Sequence, residues 1–86
     1  MELKDTLQMM TSADYKERFK AEYFQLKIRF DKLVSMISKW DAGELKFSPT
    51  CPREIYDVQI SAMRKYLDIL EARACMEDIT LQVEEL

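Results

Sequence analysis

Histidine is absent from this chain, and glycine occurs once. The first absence removes the commonest general base and metal ligand. With Cys51 and Cys75 as the only thiols, a zinc site is not expected either. The scarcity of glycine excludes phosphate-cradling loops and the strained G-x-S-x-G elbow of hydrolases. Adjacent acids such as Glu77-Asp78 and Glu84-Glu85 point in different directions on a helix, so they do not form an acid/base couple. A non-enzymatic protein without a cofactor is therefore expected. No apolar run approaches the ~18 residues of a membrane span. The opening Met1-Glu2-Leu3-Lys4-Asp5 lacks the basic-then-apolar order of a signal peptide, so a cytoplasmic protein with no membrane partner is expected.

What the chain has in quantity is apolar side chain, 48% of 86 residues. A chain this short buries only about 60–65% of its unfolded surface. The apolar content exceeds what a pair of helices can hide between themselves, so a homo-oligomer is expected. Sixteen acidic and 13 basic residues leave a net charge of −3 with the signs interleaved. Such a surface repels a polyphosphate, so duplex nucleic acid is not an expected partner, while a small anion in a local pocket remains compatible.

Phe19, Tyr23, Leu26, Phe30, Leu33, Ile37 and Trp40 recur at steps of 4, 3, 4, 3, 4, 3. That seam predicts one long helix packed lengthwise on a partner helix. Thr11-Ser12-Ala13-Asp14 reads as its start, with a hydroxyl cap and an acid in the first turn. Gly43 reads as its left-handed stop. Pro52 reads as the first turn of a second helix capped by Thr50 or Cys51. Tyr56, Gln59, Met63, Tyr66 or Leu67, Leu70 and Ala74 form its inward face, and a further apolar line runs through Ile55, Val58, Ala62, Ile69 and Met76. The expected fold is all-α, an antiparallel two-helix hairpin with long helices at about 12–41 and 52–77, assembling into a helical-bundle oligomer. Residues 1–10 are expected as an extension with a short helix, 11–78 as the hairpin domain, and 79–86 as a tail. Within that tail Ile79 to Val83 alternates like an edge strand or extended arm. Cys51 and Cys75, at opposite ends of one predicted helix, would be roughly 36 Å apart and cannot form an intramolecular disulfide.

Setting Trp40 opposite Ile55 in this hairpin brings Arg29 near Tyr66, Lys32 near Met63 and Met36 near Gln59. Arg29, Lys32, Gln59, Tyr66 and Arg73 then share one flank. Cations for phosphates, an amide for a base edge and an aromatic face for stacking are the parts of a nucleotide site. In that reading Arg29, Lys32 and Arg73 take phosphate, Gln59 the base edge, and Tyr66 and Tyr23 stack. The plainer reading of the same charges is interhelical pairing with Asp31, Asp68 or Glu71. Gln59 in a seam can equally fix register.

Over residues 10–81 the chain resembles a family of small proteins of tailed phages and prophages related to a protein of a crAss-like phage. The likeness rests on Asp14-Tyr15-Lys16-Glu17-Arg18-Phe19, Glu22-Tyr23, Leu26, Arg29, Lys32-Leu33, Trp40, Gly43, Leu45, Phe47, Cys51-Pro52, Gln59, Ala62-Met63, Tyr66-Leu67, Leu70-Glu71 and Arg73-Ala74. In size and class such proteins are similar to phage anti-defence sponges, which sequester nucleotide signals of bacterial immunity. The analogy implies a binder of cyclic ADP-ribose species or cyclic oligonucleotides acting in the host cytoplasm. The alternative expectation is a helical interaction module docking on a host or phage protein through its apolar stripe.

Overall fold

The computed structural model describes residues 1–81, and all regular structure among them is helical. A 3-10 turn, Leu3–Thr6, runs into the short helix α1, Leu7–Met10. Two long helices follow, α2 at Tyr15–Asp41 and α3 at Arg53–Met76.

Local chemistry sets their ends. Asp14 caps α2 by accepting from the Lys16 amide at 2.9 Å, and its own amide donates to Ser12 Oγ at 3.0 Å. The cap is thus the acid, two places after Ser12, the nearer of the hydroxyls expected to supply it. At the other end Gly43 takes φ +73°, and the Glu44 amide reaches back to the Lys39 carbonyl at 2.8 Å. This 6→1 bond satisfies a carbonyl the helix leaves open. Pro52 precedes α3 as its cap residue, and no side-chain cap bond is present, so neither Thr50 nor Cys51 has the expected role. Asp78 ends α3 with φ 59°, and the Ile79 amide donates to the Ala74 carbonyl at 2.8 Å. That turn folds Ile79 into the core, 7% exposed, where an alternating strand was expected to start. The part of that expectation on Gln82 and Val83 lies outside the described residues.

Tyr15 contacts Glu77, Tyr23 contacts Glu71, and Trp40 meets Tyr56 edge-on at 5.7 Å. The two long helices therefore run in opposite directions, and the molecule, 43 × 24 × 23 Å, is about as long as α2. The expected pair is joined by a third piece, because the 3-10 turn and α1 both pack on α2. Thr6 explains part of that attachment. It is fully buried, donates to the Leu3 carbonyl at 2.7 Å and accepts from Gln25 Nε2 at 2.9 Å.

The core is lopsided. Phe19, Tyr23, Phe24, Leu67, Leu70, Ala74 and Ile79 form one buried cluster, with Met9, Leu26, Phe30 and Leu81 against it. Toward the α2–α3 loop Ile37 is buried, but the seam residues Leu33, Trp40, Tyr56 and Met63, and Ile60 beside them, are only half-buried. Closing that end is Arg53, which binds Asp41 through two nitrogens at 3.0 and 3.1 Å, reaches Asp57 at 2.6 Å and lies over the Trp40 ring. Asp41 is accordingly held below the usual carboxylate range by the Arg53 guanidinium.

Candidate functional site

Positions 18, 22, 25, 29, 32 and 36 of α2 follow one another at steps of 4, 3, 4, 3, 4 and so lie on a single face beside the α3 contact. Here the half-packed end of the helix pair opens into a cleft of about 450 Å³. Arg29, Lys32 and Gln59 line it over a floor of Leu3, Leu33, Met36 and Met63. A smaller recess of about 280 Å³ continues past Arg29, lined by Arg18, Glu22, Gln25, Leu26 and Tyr66 among others. Arg29 borders both.

The acids that were the plainer partners for these cations are occupied elsewhere. Asp31 takes Lys27 at 2.9 Å, Asp68 takes Arg64 at 2.8 Å, and Glu71 receives Tyr23 at 2.9 Å as well as Arg64 at 3.4 Å. Among the described residues neither Arg29 nor Lys32 makes an ion pair. Two cations at the rim of an apolar hollow attract an anion with an apolar or aromatic body.

Four of the six expected site residues thus come together: Arg29, Lys32 and Gln59 in the cleft, and Tyr66 in the adjoining recess. Tyr66, 44% exposed, donates its hydroxyl to Glu22, and that carboxylate raises the phenol's pKa. The bond leaves Tyr66 with an exposed ring anchored at its tip.

Tyr23 and Arg73 are elsewhere. Tyr23 is 9% exposed in the core, and burial first, then the Glu71 carboxylate, push its hydroxyl up to about 12. Its ring is not open to a ligand. Arg73 lies over the Phe19 ring at 4.9 Å and donates to Glu77 at 3.1 Å and to the Tyr15 hydroxyl at 2.6 Å. That triad fastens the start of α2 to the end of α3, and Tyr15 and Arg73 together hold Glu77 below its ordinary value. The sequence reading set Met36 and Met63 beside the site but missed Leu3 in the cleft floor and Arg18, Glu22 and Gln25 in the recess. The recess had a visible signal in the helical spacing of Arg18, Glu22 and Gln25, whereas Leu3 reaches the cleft only through the packing of the 3-10 turn and α1 on α2.

Fold and cleft together define a small helical protein with a cationic, apolar-floored hollow on one flank of a helix pair. A family model described as Sequestin matches residues 13–76, and the chain belongs to the Sequestin family. That name is compatible with a sequestering role. No curated protein and no solved structure matches the chain. Among the described residues no helix is long and apolar enough to cross a membrane.

Proposed function

We propose that this protein is a phage anti-defence protein that sequesters a small nucleotide immune signal, of cyclic ADP-ribose or cyclic oligonucleotide type, without cleaving it. The observation that carries the reading is the pairing of Arg29 and Lys32, without acidic partners, with Gln59 over an apolar floor. The two cations hold phosphate oxygens, the amide reads a base edge, and Leu33, Met36 and Met63 take the flat face of a base or ribose. A volume of about 450 Å³ lies within the range of small-ligand sites. Action is stoichiometric: binding lowers the free signal in the host cytoplasm, and potency depends on protein abundance and affinity. In this reading the helical hairpin works as a homo-oligomer, because isoleucine, valine and methionine side chains on the outside of α3 are half or more exposed.

Thermal unfolding with a panel of cyclic dinucleotides and cyclic ADP-ribose isomers tests this directly. A ligand at 100 times its dissociation constant adds about 2.7 kcal/mol, which in a domain of this size raises Tm by on the order of 10 °C. No shift with any member of the panel, at millimolar ligand, would remove the nucleotide reading. The interaction-module alternative would then take its place, supported by Val58 at 63% and Met76 at 83% exposure on α3.

A further inference from the structure

Beyond the ligand cleft, α3 carries a second periodicity that the monomer does not use. Ile55, Val58, Ala62, Lys65, Ile69 and Ala72 follow at steps of 3, 4, 3, 4, 3, and Met76 continues the series. All of them are exposed, Ile55 at 51%, Val58 at 63%, Ile69 at 50% and Met76 at 83%. They lie opposite Leu67 and Ala74, which are 0% and 3% exposed in the core. Three-four spacing is the pattern of a helix packed lengthwise against another helix.

From this spacing we infer that a second copy of the chain packs antiparallel along the outer face of α3. This deepens the oligomer of the proposed function and rests on it. Antiparallel seams pair each residue of one series with the alternate series of the other helix. The register that covers most of this seam sets Ile55 against the partner's Ala72, Val58 against the partner's Ile69, and Ala62 against the partner's Lys65. Each layer then joins a larger side chain to a smaller or matched one, as close packing requires. Lys65 favours this direction. In a parallel pair it shares a layer with its own copy, whereas here it shares one with the partner's Ala62, so its stem crosses a small side chain and its ammonium, offset from the other by about 4.5 Å along the axis, reaches water. Two strips of this length bury on the order of 1,000 Å² in total, the low end for a specific interface, so the association depends on concentration.

The arrangement also bears on the cleft. Gln59 and Tyr66 flank the seam on one side, seven residues or two turns apart, in the flanking positions that meet across an antiparallel pair. The partner's Tyr66 therefore lies beside Gln59, at the rim of the hollow that Arg29 and Lys32 line. Each copy completes the other's site with an aromatic ring.

The test uses the full chain with Cys51→Ser and Cys75→Ser as background. Adding Val58→Cys and Ile69→Cys together is expected to give a covalent dimer on mild oxidation. Val58→Cys alone gives none, because its two copies stand about 16 Å apart along the axis. Separately, Ile69→Asp is expected to turn the oligomer into a monomer by light scattering with circular dichroism unchanged. If that variant loses helicity, the cross-link decides. A wild-type chain that is monomeric, at 10.2 kDa, overturns both this interface and the oligomer. An oligomer that survives Ile69→Asp and gives no cross-link between positions 58 and 69 overturns this interface alone. Cross-linking by Val58→Cys alone overturns the antiparallel register.

Discussion

The Tyr23 hydroxyl donates to Glu71 across 2.9 Å, joining the first half of α2 to the second half of α3 at the edge of the core. Glu71 keeps a second donor in Arg64 at 3.4 Å. Tyr23→Phe removes one bond without orphaning the carboxylate and is expected to cost about 0.5–1.5 kcal/mol in urea unfolding. The bond also sets a pH dependence. Tyr23 stands at about 12 in the folded chain against an ordinary 10.0. Its contribution is complete below pH 10 and is lost as the pH rises toward 12, because the unfolded chain ionises first. Alkaline unfolding followed by circular dichroism should show this loss in the wild type and not in Tyr23→Phe.

The helices were legible because their signal is periodic. Phe19, Tyr23 and Leu67 sit in the core as helical spacing requires, and Gly43 stands at a positive φ because the chain there leaves a helix. The N-terminal attachment was not legible. Thr6 and Gln25 hold it through a polar bond that no apolar pattern announces, and Phe24 and Ala21 are buried away from the seam on which the prediction rested. In the cleft, a simple antiparallel register placed Arg29 with Tyr66 and Lys32 with Met63, as the cavities have them. It could not say which acid each cation would choose. Arg73 found Glu77, four residues along its own helix, and an acceptor in Tyr15, so it left the expected set.

Two helix ends carry positive φ, one with the residue suited to it and one without. Gly43 at +73° has no neighbour within 4 Å of a built Cβ, so Gly43→Ala meets backbone strain alone and is expected to cost about 1 kcal/mol. Asp78 at 59° bears that strain already. Asp78→Gly is expected to stabilise by a few tenths of a kcal/mol to about 1 kcal/mol. Paired urea titrations of the two variants should move in opposite directions.

Both cysteines are exposed and free, with Cys51 two residues before α3 and Cys75 near its end. Nothing in the core depends on either thiol. Replacing both with serine is expected to leave circular dichroism and the unfolding midpoint within about 0.5 kcal/mol of the wild type. A larger loss, or an intramolecular disulfide in the native protein, would mean that the two ends of α3 approach each other as this fold forbids.

Arg29 borders both cavities and has no acidic partner among the described residues, so its removal separates ligand binding from folding more cleanly than any other change. If a nucleotide phosphate lies there, Arg29→Ala removes a charge-assisted bond worth about 1.5–3 kcal/mol, and affinity by calorimetry should fall roughly ten- to a hundredfold. Lys32→Ala should cost less, since an ammonium makes a point contact where a guanidinium can make two parallel bonds. Raising salt should weaken wild-type binding more than binding by Arg29→Ala, because one ionic contact is already gone. Helicity should stay unchanged in both variants, as an exposed, unpaired side chain costs under about 0.5 kcal/mol to replace. Full affinity in Arg29→Ala and Lys32→Ala would place the ligand away from this cleft.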